Sequence, residues 1–117
     1  MVVSLRAITA ETVRQITNLS VSPEQQRFVA SNAVSLAQAL FSPDAWYRAI
    51  YADDSPAGFV MVYDESLRAS PPVNPQVGLW RFMVDTQFQG QGIQQPPSHS
   101  GAAYRRLHLT QFHPVAP

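Results

Sequence analysis

Length, composition and charge restrict this sequence to one small globular domain. The chain has 117 residues, 45% of them hydrophobic and 14% charged, and its formal net charge is zero. A chain of this size can bury a core, and no global field attracts it to nucleic acid or to an acidic membrane. Cysteine is absent, which excludes disulfides and thiolate metal sites. No apolar run approaches the roughly 20 residues of a membrane span. The N-terminus also lacks the layout of a signal peptide, so we expect a cytoplasmic protein.

The first part of the chain has the pattern of one strand followed by helical segments. Residues 2–8 alternate apolar and polar side chains as a strand does, and Thr9 is the predicted N-cap of a first helix. The segment 22–25 predicts a second helix start, with Ser22 as cap, Pro23 at the first helical position and Gln25 closing a capping box. A helical pattern continues over 26–41 with a break at 31–32. Its predicted apolar stripe comprises Phe28, Val29, Ala33, Leu36, Ala37 and Leu40.

Three consecutive strands are predicted after this helical region. Residues 46–52 and 57–63 flank the turn sequence Asp-Asp-Ser-Pro, a pattern typical of a β-hairpin. A proline-rich loop over 64–76 precedes a fourth strand over 77–84. One strand, two helical segments and three further strands predict an α+β fold with a mostly antiparallel sheet.

The fourth predicted strand runs into a turn that contains Gly90 and Gly92. Glycine adopts backbone angles that other residues avoid and lets the main chain approach a ligand closely. Successive N–H groups in such a turn can form a concave anion site, suited to phosphate oxygens. The other interpretation is an ordinary surface turn, which is what most glycine pairs at this spacing are. The sequence therefore offers a candidate pyrophosphate cradle directly after a strand.

The order of these two motifs, 80–85 as Trp-Arg-Phe-Met-Val-Asp and 89–93 as Gln-Gly-Gln-Gly-Ile, resembles the GNAT superfamily of acetyl-CoA-dependent N-acetyltransferases. Within that superfamily the chain looks most like bacterial spermine/spermidine acetyltransferase-like proteins. The family loop reads Gln/Arg-x-x-Gly-x-Gly/Ala, and residues 89–94 match it except at the last position, Gln94. The segments 21–25, 28–32, 49–54 and 58–61 also resemble that group, so the resemblance covers residues 3–93.

The resemblance implies a transfer of the acetyl group from acetyl-CoA to a small, polyamine-like primary amine. In the family the fourth strand carries a bulge and splays from a fifth strand, and the pantetheine arm pairs with it in the gap. The family's proton donor is usually a tyrosine beyond the fifth strand. Tyr104 is the one tyrosine after residue 93, and its surroundings do not resemble that site, so the catalytic residues stay unassigned. The implied cofactor-binding residues are Phe82, Met83 and Val84 beside pantetheine and Gln89, Gly90, Gln91, Gly92 and Ile93 around the pyrophosphate.

Composition changes sharply at residue 94. Residues 94–117 contain no acidic residue, all three histidines and four of the ten prolines. We interpret residues 1–93 as the N-terminal half of a GNAT fold and residues 94–117 as an unrelated tail, for which a frameshift or an early stop is the simplest account. The fourth strand is then an exposed edge through which a homodimer can form. The alternative function is a non-catalytic CoA-binding or interaction domain, or an inactive remnant of such an enzyme.

The remaining polar and aromatic residues have less specific patterns. Trp46 and Trp80 can line a cation site, although tryptophans are more often core residues. His99, His108 and His113 lack the spacing of a metal site, so no metal is predicted. Carboxylates near the acceptor groove would attract a polyamine, but turn and cap roles explain most of those available. The carboxylates are Glu11, Glu24, Asp44, Asp53, Asp54, Asp64, Glu65 and Asp85.

Overall fold

The computed structural model describes residues 1–26 and 30–93. The predicted tail 94–117, with Tyr104 and the three histidines, lies outside these residues, as do Phe28 and Val29 of the predicted helical stripe. Two short 3-10 helices, Glu65–Leu67 and Thr86–Phe88, flank the last strand. The principal elements are β1 (Val3–Arg6), α1 (Val13–Thr17), α2 (Pro23–Gln26), α3 (Asn32–Ala39), β2 (Ala45–Ala52), β3 (Ser55–Asp64) and β4 (Val77–Val84).

The four strands form one antiparallel sheet in the order β1-β2-β3-β4. This arrangement confirms the predicted α+β class and antiparallel sheet, and β4 has the predicted bounds. The hairpin between β2 and β3 closes around Asp53, whose φ of 53° is the left-handed conformation that a tight turn needs. The Oδ1 atom of Asp53 also accepts a hydrogen bond from the Val2 N–H at 3.0 Å, which ties the turn to the start of β1.

Apolar side chains cover both faces of the sheet, because successive residues of a strand point to opposite sides. β3 is the strand buried on both faces, and it therefore has a nearly continuous apolar sequence. The helix-side cluster comprises Ile16, Val21, Ala49, Tyr51, Phe59, Met61 and Met83. The opposite cluster comprises Leu5, Trp46, Ile50, Val60 and Val62, with Val77, Leu79, Phe82 and Ile93 packed against it.

The helix break predicted at residues 31–32 is confirmed, whereas the predicted stripe is confirmed at Leu36 and wrong at Ala33, Ala37 and Leu40. Ser31 is the N-cap of α3, and its Oγ atom accepts a hydrogen bond from the Val34 N–H at 3.2 Å. Because the cap sets the phase of the helix, positions 32, 35, 36 and 39 turn toward the sheet. The buried residues are the polar Asn32 and Ser35, with Leu36 and Ala39 packed against the core. The stripe residues Ala33, Ala37 and Leu40 are exposed.

The ends of the two short helices also differ from the prediction. α1 has Thr12, and not Thr9, in the N-cap position. The backbone turns earlier, since the Thr9 carbonyl accepts the Val13 N–H at 2.8 Å and the Thr9 N–H donates to the Thr12 Oγ1 atom. α2 begins at Pro23 as predicted, whereas the side chain of Gln25 bonds to a distant residue instead of closing a capping box. None of the helices in residues 1–26 and 30–93 has the length and hydrophobicity that crossing a membrane requires.

Candidate functional site

β4 contains a bulge at Trp80. Arg81 pairs with Met61 while Leu79 pairs with Val62, so Trp80 is the extra residue on the β4 side of the ladder. A bulge of this kind bends the strand and increases its local twist. The side chain of Trp80 packs against the helix-side cluster. The bend therefore lies directly before the predicted cofactor-binding residues 82–84.

The outer edge of β4 has no paired strand among the described residues. The Asp85 N–H donates to the Ala57 carbonyl of β3 at 2.7 Å. Since backbone groups alternate in an antiparallel ladder, Met83 also faces β3 with its N–H and C=O groups. Phe82 and Val84 consequently turn their N–H and C=O groups toward the open edge. Of the three predicted pantetheine neighbours, these two present the main chain outward.

The side chains of the same three residues point to different surroundings. Phe82 packs against the opposite cluster and is half-buried. Met83 is 8% exposed and belongs to the helix-side cluster. Val84 is half-buried at the end of the strand. The side chains thus have core roles, and only backbone atoms of Phe82 and Val84 are in a position to pair with a ligand along the edge.

The two glycines of the predicted cradle both adopt left-handed backbone conformations. The φ angle is 79° at Gly90 and 94° at Gly92. A Cβ atom placed on either residue would meet no heavy atom within 4 Å. The glycines are therefore required by the backbone conformation rather than by a crowded neighbour, and the space beside them is open. Ile93, which follows, packs against the opposite cluster and anchors the far side of the turn.

Glutamine side chains hold this turn at the tip of β4. The Nε2 atom of Gln89 donates to the Val84 carbonyl at 3.1 Å and to the Oε1 atom of Gln25 at 3.2 Å. The Nε2 atom of Gln91 donates to the Gln87 carbonyl at 3.1 Å. Gln89 therefore occupies the last outward-facing carbonyl of β4 and connects the turn to α2. The structure brings all eight predicted cofactor-binding residues together at one end of one strand.

A cavity of about 460 Å³ lies on the helix side of the same strand. Its walls come from the α1–α2 connection, the start of α3 and one residue of β4. Sequence analysis did not predict this cavity, because its walls come from segments far apart in the chain. With Ser31 as the N-cap, the polar residues Asn32 and Ser35 fall on the inner face of α3. This pattern could have indicated the cavity. The lining residues are Thr17, Asn18, Leu19, Ser20, Val21, Gln26, Ala30, Ser31, Asn32 and Met83.

Ser20 and Asp85 join the cavity wall to the end of β4. The Ser20 N–H donates to the Asp85 Oδ1 atom at 2.8 Å, and the Ser20 carbonyl accepts from both the N–H and the Oγ1 of Thr86 at 3.0 Å. The Oδ2 atom of Asp85 accepts the Gln87 N–H at 3.2 Å. Both carboxylate oxygens of Asp85 are therefore engaged by main-chain donors. This carboxylate fastens the α1–α2 connection to the strand and is not directed at a substrate.

None of the eight carboxylates of the chain lines the cavity. All eight acidic side chains of the sequence lie within residues 1–26 and 30–93. Several are used in turns and ion pairs far from β4, where the predicted turn and cap roles account for them. Asp54 pairs with Arg6, Asp44 and Glu65 pair with Arg68, and Asp64 accepts the Ser66 N–H in the cap of a 3-10 helix.

The two tryptophans do not form a shared cation site. Trp46 belongs to the cluster on the face opposite the helices, and the Arg48 guanidinium lies 4.5 Å from its ring centroid. Trp80 packs on the helix side, with the Arg81 guanidinium 5.9 Å from its ring centroid. The sheet thus separates the two rings. Residues 1–26 and 30–93 also contain no group of three or more side chains that could hold a metal ion.

Comparison with known proteins does not add a family assignment. No protein-family model matches this chain, and no curated protein or solved structure matches it. The fold and the site define a small α+β domain with an antiparallel sheet, a bulged edge strand and a glycine turn at the tip of that strand.

Proposed function

We propose that this chain binds acetyl-CoA along the outer edge of β4 and transfers its acetyl group to a small primary amine. The observation that carries the proposal is the continuous path from the open edge at Phe82 and Val84 to the turn at Gly90 and Gly92. The pantetheine arm contains amide groups, which can pair with an open strand edge as an added strand does. The pyrophosphate then reaches the glycine turn, where the space beside Gly90 and Gly92 is open and main-chain N–H groups could donate to its oxygens. The resemblance of residues 80–93 to the GNAT loop supports the same placement.

The resemblance to the GNAT superfamily implies direct transfer. The amine nitrogen attacks the thioester carbon, a C–N bond forms, and the C–S bond breaks to release the CoA thiolate. The amine loses a proton and the thiolate gains one. In this proposal an outward-facing N–H of Phe82 or Val84 donates to the oxyanion that develops on the thioester oxygen. No side chain of the described residues is assigned to proton transfer.

The test is calorimetric titration with acetyl-CoA, followed by an assay of thiol release with an amine acceptor. Two variants at one position separate charge from backbone strain. Gly92→Asn and Gly92→Asp impose the same strain at a φ of 94°, and only Asp adds a negative charge. We expect Gly92→Asp to bind acetyl-CoA at least about tenfold more weakly than Gly92→Asn, because a carboxylate near the pyrophosphate is repelled. Equal affinities of the two variants would contradict the placement of the pyrophosphate.

A second candidate function is acetyl-CoA binding without turnover, by a binding domain or an inactive remnant. The observation that favours it is that no carboxylate in the chain faces the cavity beside β4. This alternative predicts a calorimetric signal with acetyl-CoA and no thiol release with any amine. The same open edge is also suited to pairing with a second copy of the chain, and light scattering after size-exclusion chromatography measures that homodimer directly.

A further inference from the structure

Asn32 is a polar residue buried at the wall of the cavity beside β4. Its relative exposure is 3%, although it sits in the first turn of α3. Its Nδ2 atom donates to the Ile16 carbonyl at 2.8 Å and approaches the Met83 sulfur at 3.6 Å. A buried amide is kept only where its hydrogen-bonding groups find partners. The Nδ2 atom of Asn32 therefore has its hydrogen-bond partners inside the fold.

The other side of this amide is its Oδ1 atom, which we infer to face the cavity because Asn32 is one of the lining residues. The Ile16 carbonyl fixes the orientation, since a flipped amide would place one oxygen against another. The Oδ1 atom accepts no hydrogen bond from the described residues, and it is not among the atoms sealed from solvent. Because Asn32 lines the cavity, its oxygen is an acceptor that lacks a donor there. A ligand with an N–H or O–H group would supply it.

The other lining residues, all within 17–26, 30–31 and 83, are uncharged. The apolar lining residues are Leu19, Val21, Ala30 and Met83, and the polar lining residues carry hydroxyl or amide groups. Asp85 contacts the lining residue Ser20, but both of its carboxylate oxygens accept from main-chain N–H groups. Such a wall accommodates one donor head with a short apolar stem. A second ammonium group on the stem would lose its hydration without gaining a counter-ion.

We propose that this cavity is the acceptor pocket for a small primary monoamine, with the Asn32 Oδ1 atom accepting from the amine head and the absence of carboxylates among the described lining residues disfavouring polycationic amines. This inference rests on the proposed acetyl transfer for its chemistry. It narrows the acceptor from the polyamine-like amines that the resemblance implies to small primary monoamines. The amine head donates to the Asn32 Oδ1 atom, and the stem lies along Leu19, Val21 and Met83, beside the strand that holds the thioester.

The binding test uses two probes of equal length, n-butylamine and 1,4-diaminobutane, which differ in one amino group. Both are titrated at the same pH and ionic strength into the isotope-labelled protein without acetyl-CoA. The signals followed by NMR are the side-chain amide of Asn32 and the methyl group of Met83. We expect saturable shifts with n-butylamine and at least about tenfold weaker binding of 1,4-diaminobutane. Equal or tighter binding of the diamine, or no saturable shift at Asn32, would overturn the proposal.

Asn18→Asp tests the proposal through an expected gain in the affinity for the diamine. Asn18 lines the cavity, is exposed and makes no side-chain hydrogen bond within the described residues, so the change adds a charge at nearly constant size. We expect it to strengthen binding of 1,4-diaminobutane about fivefold, as one added charge pair near the surface does. Val34→Ala, an exposed change on α3 outside the cavity, is the matched control and should leave both affinities unchanged. An unaltered diamine affinity in Asn18→Asp would count against a pocket at this place.

Asn32→Leu tests the acceptor oxygen itself. The variant should lose the n-butylamine shifts at Met83, and its folding is checked from the dispersion of the remaining signals. If it does not fold, the Asn18→Asp result still decides the proposal. The amine titrations contain no acetyl-CoA, so their failure concerns the pocket alone. A failure of the acetyl-CoA titration concerns the proposed function alone.

Discussion

Gly58 determines how closely β3 and β4 approach at the candidate cofactor site. It pairs with Val84, and a Cβ atom at this position would lie 2.4 Å from the backbone oxygen of Met83. The variant Gly58→Ala must therefore push β4 outward. An ordinary contact begins at 3.4 Å, so the required displacement is about 1 Å. The neighbouring hydrogen bond from Asp85 to Ala57, now 2.7 Å, would lengthen beyond the useful range.

The expected cost follows from these two effects. Overpacking in a well-packed region costs about 1–3 kcal/mol, and the loss of one backbone hydrogen bond costs about 1 kcal/mol. Replacing glycine by alanine in a strand stabilises the folded state by about 0.5–1 kcal/mol, because glycine loses more conformational entropy on folding. We expect Gly58→Ala to lower the free energy of unfolding by about 2 kcal/mol, which is a large share of the usual 5–15 kcal/mol.

Gly78→Ala, on the neighbouring strand β4, is the matched control. A Cβ atom there would also come within 2.4 Å of its neighbour, but that neighbour is the ring of Tyr63, the far end of a half-buried side chain. The ring can move without shifting a strand, so we expect a loss below about 1 kcal/mol. Urea unfolding, followed by the fluorescence of the buried Trp46, measures both variants. Acetyl-CoA affinity should fall in Gly58→Ala alone. Equal destabilisation by the two substitutions would refute the assignment of the clash to the backbone.

Two further predictions concern buried polar groups around the cavity. Ser35 is 1% exposed, and its Oγ atom has no hydrogen-bond partner. Ser35→Ala removes this desolvated hydroxyl and improves helix propensity. We therefore expect it to raise the free energy of unfolding by about 1 kcal/mol, measured by urea unfolding. A neutral or destabilising result would show that the hydroxyl has a partner. Asp85→Ala removes the acceptor of the Ser20 and Gln87 N–H groups and should cost about 2–3 kcal/mol. Hydrogen exchange should increase at these two amides. Unchanged protection there would argue that Asp85 does not hold the α1–α2 connection to β4.

Local patterns in the sequence predicted the strands of the sheet well. The apolar, aromatic-rich run over 77–84 and the turn residues between 52 and 57 depend on neighbours in the chain, so the bounds of β4 and the existence of the β2–β3 hairpin could be obtained from them. The glycine turn was also found in this way, since a positive φ at Gly90 and Gly92 is a local property of the backbone. The helices were harder, because the inner face of α3 depends on where its cap lies. A sequence reading based on apolar residues favoured Ala33 and Leu40 over the buried Asn32 and Ser35.

The sequence by itself determined the class of fold, the order of the strands along the chain and the glycine turn after β4. The resemblance implied a bulge in the fourth strand, but only the tertiary structure placed it at Trp80. The tertiary structure alone decided the cavity under α3 and the hydrogen bond between Ser20 and Asp85, which are separated by 65 residues. The physical reason is the range of the interactions. Strand alternation and turn conformation are set by adjacent residues, whereas the direction of a buried amide such as Asn32 is set by partners that reach it only after the chain has folded.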